Sequence, residues 1–275
     1  MPMLIQNARV IDPSQGLDEV MDLLLEDGKI AQLGSNLSAP NAQVVDGTGL
    51  VAAPGLVDMH VHLRDPGLTH KEDVYSGCRA AAAGGVTSLL AMPNTKPAMD
   101  SPETVRALLE RAQTADAAVY TAACVTKDLQ GEELADLAAL KEAGAIALSD
   151  DGRPVVNTRR LLEALEQAPS LGLTVTAHCE DLYLASGGLM HRRGLPQAGG
   201  ARHPRRCRGL RHRPGNRRGG LHRRAIHICH VSTKGSVALI RTPKPGACKS
   251  PRRPAPHYLL LTDKALESQD AGLPP

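Results

Sequence analysis

The feature that most constrains the fold of this chain is a repeated alternation of strand-like and helix-like segments after Pro54. Apolar runs that predict strands are GLVDMHVHL, VTSLLAMP, AAVYTAACV, AIALSDD, LTVTAHCED and AIHICHVS. Such alternation predicts parallel strands joined by crossover helices, which is the α/β class. Six strands of this kind favour a (β/α) barrel, while a doubly wound sheet is the alternative, for which the sequence offers no Gly-rich phosphate loop.

Capping residues mark the expected helix boundaries. HKEDVYSGCRAAAAGG predicts a helix that ends at Gly84, and SPETVRALLERAQT predicts one with Ser101 as the N-cap and Pro102 at the first helical position. Two further helices are predicted at GEELADLAALKEAG and TRRLLEALEQA. Residues 1–54 instead show short strand-like runs, with Asp27-Gly28 as a hairpin signal. We therefore predict a small β-rich domain at 1–54 and an α/β domain at 55–275.

A basic stretch interrupts this pattern. Residues 182–262 hold 18 of the 32 Lys and Arg and none of the 29 Asp and Glu. The pattern is lost at about 190–224 and again at about 242–256. A nucleic-acid-binding arm, a natural disordered insertion and paired frameshifts in a GC-rich gene are the three interpretations. We favour the frameshifts, because shifted GC-rich codons encode Arg, Pro, Gly, Ala and His, and resequencing the source DNA tests this.

The cysteine pattern and the N-terminus predict the compartment. The six Cys form no CxxC pair, and neither a secretory leader nor an apolar run of about 20 residues is visible. We expect a cytoplasmic protein with reduced thiols and no membrane segment.

Polar residues in VDMHVHLR form the first candidate site. Side chains alternate between the two faces of a strand, so Asp58, His60, His62 and Arg64 are expected on one face. Two imidazoles spaced in this way can converge on one metal ion. A polar, solvated strand face is the alternative when this motif is taken alone.

Other strand ends supply further candidate ligands. AIALSDD ends at Asp151, while His178 and His230 end the fifth and sixth predicted strands. In a barrel these ends meet at one rim, where neutral imidazoles and a carboxylate would suit Zn²⁺. Alternation turns Cys179 and Cys229 to the opposite, helix-facing side. We expect that His70 and His227 are not ligands, and that the same holds for the histidines of the basic stretch, which are His191, His203, His212 and His222.

Five motifs together resemble the amidohydrolase superfamily, and most closely class I dihydroorotases. These motifs are GLVDMHVHLRDPG, AMPNTKP, SDDGRPV, AHCED and HICHVSTKGSV. The resemblance implies an incomplete (β/α)8 TIM-type barrel with a small N-terminal β domain. It also implies zinc-dependent, reversible hydrolysis of dihydroorotate to N-carbamoyl-L-aspartate in pyrimidine biosynthesis.

The resemblance also implies residue roles. A binuclear zinc site would have one ion held by His60 and His62, the other by His178 and His230, with Asp151 shared. Arg64 and Asn94 would bind the substrate carboxylate. The structural alternatives are an ion pair of Arg64 with Asp58 or Asp65, and a turn in which the Asn94 side chain bonds its own backbone.

The sequence departs from the family pattern in one important respect. Within the 275 residues no DHAPH-like motif supplies the family's general acid/base Asp, which would lie beyond Pro275. We therefore expect impaired or absent activity of this chain. A non-catalytic scaffold for aspartate transcarbamoylase and an Arg-rich nucleic-acid binder are the alternative functions. The resemblance also leaves a homo-oligomer or an aspartate transcarbamoylase complex open.

Overall fold

The computed structural model describes residues 1–180, 190–191, 202–203 and 226–241. The disrupted segments predicted at about 190–224 and 242–256 lie outside the described residues, apart from two short strands that pair in parallel, β11 (Met190–His191) and β12 (Arg202–His203). The chain divides into two compact units, Met1–Leu56 and Val57–Pro275. Among the described helices, none has the length and apolarity that crossing a membrane requires.

The first unit is built on a mixed five-stranded sheet. In this sheet β1 pairs antiparallel with β2 and parallel with β4 and β5, while β2 pairs antiparallel with β3. The strands are β1 (Met3–Asp12), β2 (Leu17–Glu26), β3 (Lys29–Gly34), β4 (Gln43–Asp46) and β5 (Val51–Ala52).

The hairpin predicted at Asp27-Gly28 is confirmed. Glu26 pairs with Lys29 across the turn, and both turn residues have positive φ, 49° for Asp27 and 73° for Gly28. A two-residue turn of this kind matches the natural twist of the strands, and Asp-Gly tolerates it.

The second unit contains a six-stranded sheet whose strands are neighbours in the order in which they occur along the chain. Every pairing from β7 to β13 is parallel. A doubly wound sheet reverses its strand order, and this sheet does not, which favours the barrel-type arrangement. Its strands are β6 (Leu56–Val61), β7 (Val86–Ala91), β8 (Ala118–Ala123), β9 (Ala147–Leu148), β10 (Thr174–Ala177) and β13 (Ile226–Ile228).

Five described helices accompany this sheet. They are α1 (Val74–Ala83), α2 (Pro102–Arg111), α3 (Leu137–Glu142), α4 (Thr158–Gln167) and α5 (Lys234–Arg241). The predicted capping residues are confirmed, because Gly84 ends α1 and the Ser101 side chain accepts a hydrogen bond from the Thr104 amide at the start of α2.

Helix α3 is shorter than GEELADLAALKEAG predicts. Gly131 has φ of 78°, and Thr126 pairs with Leu134 in an isolated β-bridge. These contacts hold residues before 136 in an extended loop. Asp136, whose carboxylate accepts the Ala139 amide hydrogen, then caps the helix that begins at Leu137.

Aliphatic side chains fill the space between the sheet and the helices. Leu148 of β9 and Val175 of β10 pack with Leu140 of α3 and Ala164 of α4, and all four are essentially buried. Leu90 and Ala122 form a smaller cluster with Met92 and Ala147. The helices thereby fix the strands, whose carboxyl ends lie at a common edge because the strands are parallel.

Candidate metal centre

Five side chains predicted as metal ligands lie together at the carboxyl ends of the strands. Asp151 follows β9 and is at the centre, with only 4% of its side chain exposed. Its Oδ1 atom is 3.4 Å from His60 Nε2 and 3.3 Å from His178 Nδ1. The same oxygen is 3.5 Å from His230 Nε2, and Asp151 Oδ2 is 3.4 Å from His62 Nε2.

Different local structures deliver these side chains. His60 is within β6, where exposed Val57 and Met59 alternate with the partly buried Asp58 and His60. His62 lies just past the strand end. His230 follows β13 with φ of 54°, a conformation that is uncommon for residues other than glycine. Strand alternation therefore places only part of the cluster, and the turns after the strands place the rest.

The spacing of the donor atoms suits a metal ion better than direct hydrogen bonds. Asp151 Oδ1 and His178 Nδ1 are both buried without a hydrogen-bond partner, although they are 3.3 Å apart. Donor atoms around a tetrahedral Zn²⁺ with bonds of about 2.1 Å lie about 3.4 Å from one another. Donor atoms of His60, Asp151 and His230 all lie within 4.8 Å of each other. The residues present therefore fit a metal ion.

Electrostatics in the cluster favour an ionised carboxylate. Burial alone would raise the pKa of Asp151, but the neighbouring imidazoles of His178 and His230, together with the charge of His60, outweigh it and hold that pKa below its ordinary value. An ionised Asp151 at neutral pH is the form that binds a cation.

The pKa values of His62 and His178 are shifted in opposite directions. Burial lowers the pKa of His62 more than Asp151 and Asn94 raise it. For His178 the same effect of burial is outweighed by Asp151 and Glu180, so its pKa lies above the ordinary value. Metal binding requires the neutral form of each ring.

Two further side chains bind the outer faces of these histidines. Asn94 Oδ1 is 2.9 Å from His62 Nδ1, and Glu180 Oε2 is 3.2 Å from His178 Nε2. Sequence reasoning missed Glu180 as a site residue. The available signal is an acidic residue only two positions after a predicted metal ligand, in the motif AHCED.

The structural alternatives considered for Arg64 and Asn94, an ion pair and a backbone turn, are not the contacts observed. Asp65 pairs with Arg111, whose Nε lies 2.9 Å from Asp65 Oδ2, and Asp58 Oδ1 accepts the His60 amide hydrogen. Within residues 1–180 and 226–241, no carboxylate forms an ion pair with Arg64, whose charge acts on His62. Asn94 bonds His62 rather than its own backbone.

Among the residues whose side chains the structure describes, two further histidines and two cysteines named in the sequence analysis are not part of the cluster. His70 is exposed, whereas His227 is buried on β13. Cys179 and Cys229 are buried, as expected for helix-facing residues. The side chains of His191, His203, His212 and His222 lie outside the described part of the chain.

Comparison with known proteins identifies relatives of this chain. Residues 49–236 match a family described as dihydro-orotase-like. A dihydroorotase of Pelobacter propionicus is 45% identical over 99% of this chain, and one of Geobacter sulfurreducens is 44% identical over the same share. The chain spans 65% of the length of each of these relatives.

Solved structures show the same fold at lower identity. A D-hydantoinase superposes with a TM-score of 0.75 at 23% identity, over 97% of this chain and 60% of the other. L-hydantoinase from Arthrobacter aurescens superposes with a TM-score of 0.73 at 21% sequence identity, over 98% of this chain and 61% of the other. Together with the strand order, these similarities show the fold of a TIM-type barrel, of which the described residues supply six strands, and a small N-terminal sheet.

Proposed function

This chain belongs to the dihydro-orotase-like family, and from that premise we propose that it carries the metal centre of a dihydroorotase. The reaction is the reversible hydrolysis of the cyclic amide of dihydroorotate to N-carbamoyl-L-aspartate. The observation that carries the proposal is the convergence of His60, His62, His178 and His230 on the buried Asp151. A complete ligand set of this kind supports an enzyme over a scaffold subunit.

The family resemblance leads us to propose zinc bound at two positions. His60 and His62 would hold one ion, and His178 and His230 the other. Asp151 is suited to be shared, because each of its oxygens faces imidazole nitrogen. Zinc at this site would polarise the amide carbonyl and lower the pKa of water. The protein contributes a buried carboxylate already ionised and imidazoles already aimed at it.

Arg64 and Asn94 are suited to hold the carboxylate of the substrate. The half-buried guanidinium of Arg64 has no carboxylate partner among the described residues, and its planar fork can bind a carboxylate through two hydrogen bonds. Asn94 uses its Oδ1 atom on His62, which leaves the two N–H groups of Nδ2 as donors. Binding there would place the ring amide beside Asp151.

Two measurements on the full chain test this function independently of turnover. The wild-type chain should retain zinc after dialysis, and Asp151→Asn should lose it. The matched control is Glu142→Gln, which removes an exposed carboxylate at the end of α3 and should retain zinc. Dihydroorotate binding to the zinc-loaded chain should weaken at least about tenfold in Arg64→Gln, because a charged hydrogen bond is lost, whereas Arg106→Gln on exposed α2 surface should leave it unchanged.

Equal zinc content in the wild type and Asp151→Asn would contradict the metal centre. Equal binding by the two Arg variants would contradict the substrate assignment. Turnover is a separate readout, which neither of these two measurements requires.

We place the protein in the cytosol, in keeping with the free, buried thiols of Cys78 and Cys124. Assembly into a homo-oligomer or with aspartate transcarbamoylase stays a prediction of the family resemblance. Light scattering of the purified chain, alone and with that enzyme, measures both.

A further inference from the structure

The two imidazoles with outer partners face Asp151 through opposite ring nitrogens. His62 turns Nε2 toward Asp151 Oδ2 at 3.4 Å, whereas His178 turns Nδ1 toward Asp151 Oδ1 at 3.3 Å. In each ring the other nitrogen meets an oxygen, that of Asn94 or that of Glu180. Each histidine therefore has a hydrogen-bond partner at its outer nitrogen and turns the other nitrogen toward the cluster.

We propose that Asn94 and Glu180 are positioning residues that select opposite tautomers of His62 and His178. The inference rests on the proposed metal centre. A neutral imidazole has one N–H group and one lone pair. An acceptor oxygen at His62 Nδ1 places the hydrogen there and leaves the Nε2 lone pair facing the centre. An acceptor at His178 Nε2 does the reverse and leaves the Nδ1 lone pair facing inward.

The surroundings of Asn94 hold its amide in place. A Cβ atom added at Gly152 would lie 3.3 Å from Asn94 Nδ2, so the glycine allows the amide to approach the chain just after Asp151. The loop that carries Asn94 is tied by hydrogen bonds from the Thr95 amide to the Pro93 carbonyl and from Thr95 Oγ1 to the Pro97 carbonyl. Asn94 thus links a ligand histidine to the segment that carries the shared carboxylate.

Glu180 acts on the other side of the centre and carries a charge. A carboxylate that accepts the N–H of a ligand histidine fixes the ring orientation and makes the opposite nitrogen a better donor to metal. Charge-assisted hydrogen bonds are roughly twice as strong as neutral ones. Removal of Glu180 should therefore weaken metal binding more than removal of Asn94.

Zinc affinity and histidine tautomers of the full chain test this inference. Asn94→Leu and Glu180→Leu should each weaken Zn²⁺ binding, measured by competition with a chelator, by about 10–100-fold, with the larger loss for Glu180. Asn94→Asp and Glu180→Gln keep an acceptor oxygen and are the matched controls. At a pH high enough for both rings to be neutral, which for His178 lies above its ordinary range, nitrogen-15 NMR of the metal-free protein should show Nδ1–H on His62 and Nε2–H on His178. Both controls should retain these tautomers.

Wild-type affinity in both Leu variants, or Nε2–H on metal-free His62, would overturn the inference. If a Leu variant does not fold, the control variant at the same position tests the inference. Glu180→Gln must keep the His178 tautomer yet bind zinc more weakly, since it lacks the charge, and Asn94→Asp must keep the His62 tautomer. A wild-type chain that binds no zinc contradicts the proposed function, while the tautomer spectra still test the positioning roles.

Discussion

Gly67→Ala should destabilise the chain through one backbone contact. Gly67 has φ of 83°, and a Cβ atom built there would lie 1.7 Å from the carbonyl oxygen of Lys96. The adjacent contact is a hydrogen bond of 3.0 Å from the Lys96 amide to the Pro66 carbonyl. The loop after β6, which contains Arg64, therefore touches the loop after β7, which contains Asn94.

The size of the effect has two sources. A positive φ costs a residue with a Cβ atom about 1–2 kcal/mol. Relief of a 1.7 Å overlap with backbone requires the two loops to separate by more than an ångström, for which overpacking data suggest about 1–3 kcal/mol. The free energy of unfolding should therefore fall by about 2–5 kcal/mol.

Urea denaturation of the metal-free full chain measures this loss, and Gly85→Ala is the matched control. Gly85 has φ of 77°, but a Cβ atom there would meet nothing within 4 Å. The control should thus lose only the backbone cost of about 1–2 kcal/mol. Separation of the loops should also weaken dihydroorotate binding in Gly67→Ala alone. Equal losses in the two variants would refute the reasoning, because the contact with Lys96 would then add nothing.

Two other substitutions test the core and the buried charge beside the cluster. Leu140→Ala in α3, where the side chain is fully buried, should lower the free energy of unfolding by about 2–5 kcal/mol in urea denaturation, whereas the exposed Leu50→Ala should change it by less than about 0.5 kcal/mol. Burial raises the pKa of Asp150 from 3.8 to about 6, against the opposing hydrogen bonds from Thr126 and Val125. Protonated Asp150 therefore favours the folded state below about pH 4, and a contribution of about 3 kcal/mol is lost as the pH rises through 6. Between pH 3 and pH 8, the free energy of unfolding of Asp150→Asn should rise by about 3 kcal/mol relative to that of the metal-free wild type. Curves of unfolding free energy against pH that run parallel for the two proteins would contradict the raised pKa of Asp150.

Local sequence patterns predicted the strand–helix alternation and much of the candidate site. Apolar runs and capping residues identified β6 to β10 and the ends of α1 and α2, because these signals act between residues close in the chain. The convergence of His60, Asp151 and His178 also followed from the pattern, since parallel strands present their carboxyl ends at one edge. The early residues of the predicted α3 could not be placed in this way, because the bridge between Thr126 and Leu134 outweighs helix propensity there.

The sequence by itself determined the α/β class, the strand ends and the kinds of donor atoms that meet there. Only the tertiary structure decided how those atoms are aimed. His62 and Arg64 lie past the end of β6, so strand alternation does not govern them. The partner of His62 is 32 residues away in the chain, and the contact of Gly67 with Lys96 joins two separate loops. Such contacts depend on where packed helices hold neighbouring strands, so short-range patterns in the sequence do not predict them.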